Sequence, residues 1–187
     1  MDIKTLAEKI AALGNKKSPV IVAIDGRCGA GKTTIAKELQ TLCGGNIFHM
    51  DDFFLQPHQR TPERYATPGG NVDYERFTSE VITPTLEGRS FSYRPFSCKT
   101  MELDEPVTIQ PHAINIIEGC YSCHPSLAGF FDSKIFLTVD KEEQMRRIIN
   151  RNGEEKAAQF KDKWIPLEEL YFETFNVEKA CDYVIGN

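Results

Sequence analysis

The run Gly26-Arg27-Cys28-Gly29-Ala30-Gly31-Lys32-Thr33 constrains this chain more than any other, because it meets every fixed position of the pattern G-x-x-x-x-G-K-[ST] and dictates what must flank it. Before it, Val20-Ile21-Val22-Ala23-Ile24 is apolar at every position, as a strand buried on both faces of a parallel sheet must be. After it, Thr34-Ile35-Ala36-Lys37-Glu38-Leu39 spaces its apolar residues as a helix does. Strand, glycine loop and helix in that order make an anion cradle. Glycines let backbone N–H groups turn inward around a polyphosphate, and the helix points its positive end at the same anion. Lys32 reaches the outer phosphates and the Thr33 hydroxyl is a ligand for Mg²⁺. The predicted phosphate-binding set is Gly26, Arg27, Cys28, Gly29, Ala30, Gly31, Lys32, Thr33 and Thr34.

The rest of the chain is read around that cradle. With 187 residues there is room for one well-buried core, so the expectation is a single domain over 1–187 in which any second lobe is an insertion or lid. A net charge of -5, with lysines and arginines dispersed among acids, argues against a nucleic-acid binder. No apolar stretch is long enough to span a bilayer, and the first residues read as an amphipathic helix from about Ile3 to Leu13; the expected location is the cytoplasm. The six cysteines are dispersed and read as free thiols. Cys120-Tyr121-Ser122-Cys123-His124 spells the haem-attachment pattern C-x-x-C-H, but haem attachment needs an exported protein and a haem pocket, and zinc needs a second ligand pair; neither is signalled.

Strands are predicted at Val20 to Ile24, Asn46 to Met50, Ala113 to Ile117, Lys134 to Val139 and Tyr183 to Ile185, alternating with helical patterns, which means a parallel sheet with helices on both faces. Between the second and third strands lie a polar loop (Gln56 to Gly70), a helix from about Asp73 to Glu87, and alternating stretches at Phe91 to Phe96 and Glu102 to Gln110 that read as an antiparallel hairpin. This long segment starts at the carboxyl end of a strand, where open parallel sheets bind ligands, and residues 71–110 are assigned to an acceptor substrate.

Three groups carry further chemistry. Asp51-Asp52 follows the second strand; one of these acids accepts the proton of an attacking hydroxyl or holds the metal, the alternative being a helix cap or a solvated pair. Glu118 ends the third strand, where phosphate-loop proteins carry a carboxylate that supports Mg²⁺, against the alternative of a structural acid. Arg147 and Arg151 share a face of the helix Glu142 to Arg151, beside Arg146, where a lid over 142–165 brings guanidinium groups to a transferring phosphoryl group; the alternative is a solvated face paired with Glu142 and Glu143. Trp164, Tyr171, Phe172 and Phe175 are residue types more often found in a core than on a stacking platform, and they are left unassigned.

Taken together, Gly-x-x-x-x-Gly-Lys-Thr, Asp51-x-Phe53-Phe54, Asn71-Val72-Asp73-Tyr74, Tyr93, Glu118-Gly119, the arginine-rich helix and Val177 to Ile185 resemble the uridine kinase family, in the superfamily of phosphoribulokinase, bacterial pantothenate kinase and nicotinamide riboside kinase. The resemblance runs across nearly the whole chain. It implies an α/β P-loop NTPase fold with a small substrate-binding insertion and a helical lid, and an ATP- and Mg²⁺-dependent kinase acting on a primary hydroxyl of a small molecule, a nucleoside first. It implies Asp51 as base, Lys32, Arg147 and Arg151 as the groups offsetting charge, and Thr33, Asp51 and Glu118 as metal supports. It implies Asp73 on the ribose hydroxyls and Tyr93 packed on the substrate. Cys98 stands where the family carries a base-reading histidine, and a thiol is a weaker hydrogen-bond partner than imidazole. An acidic alcohol would want a basic cluster, for which Arg60, Arg64 and Arg94 are available. A regulatory module that binds ATP without an acceptor is the non-catalytic alternative. The oligomeric state is open, a homo-oligomer being one option.

Overall fold

The computed structural model describes residues 2–186. In chain order it forms α1 (Ile3–Gly14), β1 (Val20–Gly26), α2 (Lys32–Cys43), β2 (Asn46–His49), α3 (Pro62–Ala66), α4 (Tyr74–Phe77), α5 (Thr83–Leu86), β3 (Phe91–Tyr93), β4 (Phe96–Ser97), β5 (Glu102–Leu103) and β6 (Val107–Ile109). Then come β7 (Ile114–Glu118), β8 (Ser133–Thr138), α6 (Lys141–Asn152), α7 (Glu154–Gln159), α8 (Ile165–Phe175), α9 (Val177–Ala180) and β9 (Tyr183–Gly186).

Five strands make a parallel sheet in the order β2-β7-β1-β8-β9. The unbroken apolar run of β1 is explained by its central place: Val20, Val22 and Ile24 pack toward Leu6, Ile10 and Leu39 of α1 and α2, while Ile21 and Ala23 join Phe48, Phe77, Phe136 and Phe172 on the other side. Helices on both faces bury both sets, so the strand has no solvent face on which polar residues would alternate. α1 starts where Asp2 caps it, its carboxylate accepting the N–H groups of Lys4 and Thr5.

Parallel register sets the site. Ile24 and His49 both stand opposite Glu118, so the carboxyl ends of β1, β2 and β7 open onto one edge of the sheet, and the residues following them converge there. Gly26, at φ 131°, is obligatory: a Cβ placed on it would meet the Leu137 carbonyl oxygen at 2.0 Å.

Two expected elements are interrupted. The helix from Asp73 to Glu87 forms, capped by the Asp73 carboxylate on the Arg76 N–H, but it widens into a π-turn at Thr78–Ile82 just before Pro84. A second π-turn, Phe160–Trp164, likewise precedes Pro166. In each case the wider turn accommodates a ring that clashes with an α-helical carbonyl and supplies no N–H. The hairpin is two short ladders, β3 with β6 and β4 with β5, separated at Arg94-Pro95 where proline cannot donate to the ladder. The loop Gln56 to Gly70 also contains more structure than its composition announces: Pro62 opens α3 and the Thr61 hydroxyl caps it.

Candidate active site

The glycine loop closes on itself through Lys32, whose Nζ donates to the carbonyls of Gly26 (2.6 Å) and Arg27 (3.0 Å). Burial opposes its charge, yet Cys120, Glu168 and Asp25 around it hold its pKa above the ordinary lysine value. Beneath the loop lies Asp25, fully buried at the end of β1. It accepts the N–H groups of Gly26 (2.7 Å), Tyr121 (3.1 Å) and Cys123 (2.8 Å) and the Tyr171 hydroxyl (2.8 Å), joining the loop to the turn after β7 and to α8. Burial raises its carboxyl pKa in spite of those donors. From α8, Glu168 accepts the Cys28 N–H at 3.0 Å, and Glu169 makes a two-point pair with Arg27 at 2.8 and 3.1 Å. The Cys28 thiol is pushed up to about 12 by burial and by Glu168.

A cavity of about 860 Å³ opens over this floor. Cys28, Gly29, Gly31, Lys32, Thr33 and Thr34 lie on its wall, while Gly26 and Ala30 lie outside the lining and the Arg27 side chain points to α8. At the strand ends the two adjacent acids separate. Asp51 opens into the cavity, and partial loss of hydration there raises its pKa above 3.8 against the pull of Lys32. Asp52 turns away, accepting the Tyr93 hydroxyl at 3.0 Å, while its backbone carbonyl accepts Arg76 at 2.7 Å. Glu118 lines the cavity, accepts the Thr33 hydroxyl at 3.0 Å and meets His49 Nδ1 at 2.5 Å, a contact that raises the His49 pKa.

The opposite wall comes from α6, α7 and the turn that follows. Arg147 reaches the Gly29 carbonyl (3.1 Å) and is held by Glu143 (2.6 Å). Arg151 sits over the Phe160 ring, 5.7 Å from its centre, and both arginines line the cavity. Arg146 remains outside, exposed, and its bond with that of Arg147 holds Glu143 down to about 2. Lys156, Gln159 and Trp164 also line this wall. Trp164, which the sequence leaves unassigned, is thus a cavity residue, whereas Tyr171 and Phe172 are buried.

Phe54, Arg60, Tyr65, Asn71, Cys98 and Met101, from the segments that follow β2 and β4, complete the lining. Cys98 therefore shares the cavity with Lys32, Asp51, Glu118, Arg147 and Arg151. Asp73 and Tyr93 do not line it. Asp73 is buried, bonded to the Arg76 N–H and to Gln59 (2.7 Å); Tyr93 packs on Phe48 and Phe53 with its hydroxyl on Asp52. Asn71 occupies the wall that Asp73 was expected to supply. The C-x-x-C-H segment follows β7: the Cys123 and Cys181 sulfurs are 3.9 Å apart, and the His124 ring stacks on Tyr74. Among the described residues no group of three or more His, Cys, Asp or Glu is arranged to hold a metal.

Sequence reasoning missed Asp25 and Glu168. A lone carboxylate closing an apolar strand was a usable signal for the first; nothing local distinguishes Glu168 from the other acids of its helix.

A parallel sheet in this order, with a glycine loop and Lys32-Thr33 at the end of its central strand, defines a P-loop protein with the kinase form of that fold. The chain belongs to the AAA domain family, which matches residues 22–169. It is similar to a uridine kinase of Ureaplasma parvum serovar 3, 24% identical over 159 residues that cover 78% of this chain and 75% of that protein. Among solved structures it resembles a possible uridine kinase from Bacillus stearothermophilus, with a TM-score of 0.67 and 21% identity over 97% of this chain and 99% of the other. It also resembles a candidate fructose transport system kinase from Silicibacter sp. TM1040, with a TM-score of 0.74 and 17% identity over 99% of both chains. Among the described residues no helix is long and apolar enough to cross a membrane.

Proposed function

We propose that this protein is an ATP- and Mg²⁺-dependent phosphotransferase that moves the γ-phosphoryl group to a primary hydroxyl of a small molecule. The observation that carries the reading is one cavity holding a phosphate loop, an Asp51 carboxylate free to face a substrate, two arginines and, for an acceptor, a lining from the segments that follow β2 and β4. Lys32 and the loop N–H groups align the phosphates, Asp51 takes the proton of the attacking hydroxyl, and Arg147 and Arg151 offset charge on the transferring group. Segment 142–165 acts as the lid and 71–110 as the acceptor insertion. The hard oxygen donors Thr33, Glu118 and Asp51 suit Mg²⁺, which takes one or two carboxylates together with substrate phosphates. When bound, the ion neutralises phosphate charge. Asp73 and Tyr93 support the acceptor wall from behind, through Gln59 and Asp52. Relatives named uridine kinase put a nucleoside first among acceptors.

The test is incubation with ATP and Mg²⁺ and a panel of nucleosides and other alcohols, followed by mass detection of the phosphorylated product. ATP hydrolysis without product from any acceptor would instead identify a nucleotide-dependent regulatory module.

A further inference from the structure

Four arginines stand on the acceptor side, and three are engaged by the protein itself. Arg64 grips Glu75 and the carbonyls of Gly70 and Val72. Arg76 holds Glu80 and the carbonyls of Asp52 and Arg94, and Arg94 donates to those of Leu103 and Asp104. Arg60 differs. Its Nε donates to the Leu55 carbonyl at 2.8 Å and its guanidinium carbon lies 5.4 Å from the centre of the Phe96 ring. Among the described residues no carboxylate pairs with it, although it is half-buried and lines the cavity.

This arrangement is a prepared anion receptor. A guanidinium fixed through Nε and stacked on an aromatic face keeps its two terminal nitrogens for a bidentate partner, and little side-chain freedom is left to lose on binding. A half-buried cation whose contacts are a neutral carbonyl and a ring is incompletely compensated. Of the other carboxylates on the cavity wall, Glu118 is committed to Thr33 and His49 and Glu168 to the Cys28 N–H, while Asp51 lines the cavity without forming an ion pair with Arg60. Nor does the nucleotide need Arg60. Lys32 closes the glycine loop and Arg147 reaches the Gly29 carbonyl beside it, while Arg60 lies in the segment after β2 that brings Phe54, Tyr65 and Asn71 to the cavity.

We propose that Arg60 binds a carboxylate or phosphate carried by the acceptor itself, so that the acceptor is an anionic alcohol rather than a neutral nucleoside. This rests on the phosphotransferase reading and replaces the nucleoside that the relatives' names put first with an anionic alcohol. The anion forms two parallel charge-assisted hydrogen bonds to the terminal nitrogens and orients the hydroxyl at the other end of the molecule toward Asp51.

The test is calorimetric binding of three probes that share a primary hydroxyl, namely glycerol 3-phosphate, glycerate and glycerol, to protein saturated with Mg²⁺ and a non-hydrolysable ATP analogue. At least one anionic probe is expected to bind about tenfold or more tighter than glycerol, and which one does so separates phosphate from carboxylate. Arg60→Gln should abolish that advantage, and Arg60→Lys should restore only part of it, since an ammonium is a point charge without the fork. Melting temperatures check folding; if Arg60→Gln does not fold, Arg60→Lys decides alone, by losing most of the advantage or keeping it. Equal binding of the three probes, or an advantage that survives in a folded Arg60 variant, overturns the proposal. Failure of the ATP analogue to bind the wild type overturns the phosphotransferase reading, and the proposal falls with it.

Discussion

The two ends of the cavity are built on different principles. The proposed phosphate end comes from one contiguous stretch, of which Cys28, Gly29 and Gly31 to Thr34 line the cavity, and its shape follows from glycine conformations and a helix start. The acceptor end is assembled from side chains of separate segments: Phe54, Arg60 and Tyr65, then Asn71, then Cys98 and Met101 of the broken hairpin. Backbone chemistry is generic and recognises a polyphosphate whatever it belongs to. Side-chain chemistry is particular, and on the proposed reading it is what selects the acceptor. Shared ancestry therefore transfers the first end to this chain far more securely than the second.

The sharpest way to break the contrast is at Lys32. Lys32→Ala should leave a folded protein and lower turnover by about a hundredfold or more, as loss of a preorganised charge in a dry site does. Wild-type rates from that variant would remove the phosphate end from the mechanism.

Next in size is the separation of the adjacent acids. Asp51→Asn should eliminate transfer while an ATP analogue still binds; Asp52→Asn, whose side chain turns to Tyr93 and keeps an oxygen to accept its hydroxyl, should retain activity. Because burial raises the Asp51 pKa, kcat/KM of the wild type should fall with decreasing pH at values above 3.8, as the base takes up its proton. A dead Asp52 variant beside an active Asp51 variant would reverse the assignment.

Arg147→Ala and Arg151→Ala should each reduce kcat by about tenfold with a smaller rise in KM, since their effect grows as charge develops. Steady-state kinetics with an unchanged kcat in both would make this wall a scaffold.

The smallest effect is expected at Cys98, which samples the acceptor end alone. Cys98→His should improve kcat/KM for uridine relative to other acceptors by about a few fold, adding a stronger hydrogen-bond partner. Selective, efficient use of uridine by the wild type would show that the thiol is no handicap.

The same division decides what could be read before folding. The central sheet was legible because burial on both faces leaves apolar runs, and the glycine loop because its chemistry is local. Asp51 and Glu118 were legible as acids closing strands. Asp25 carried the same strand-end signal without its partners, and Glu168 carried none, since their roles are defined by donors such as Tyr171 and Cys28 that only the fold brings near. Pro95 was visible as a residue but not as the point where the hairpin divides. Arg60 was one of three equivalent arginines until Arg64 and Arg94 proved to be satisfied by their own surroundings.

Three contacts described above, Asp25 to Tyr171, Cys28 N–H to Glu168 and Arg27 to Glu169, join α8 to the floor of the cavity. In mechanical terms they make the floor and the root of the arginine-bearing arch one rigid lever. The arch then has its joint at the far side, at Gly153 between α6 and α7, whose φ of 80° few other residues tolerate. The expectation is that a displacement of the glycine loop reaches α8 through these contacts rather than through the sheet. Loosening the lever with Glu169→Gln should raise hydrogen exchange in α8 and in the glycine loop together while α1 stays protected; an increase confined to one of them would show that the two are not coupled.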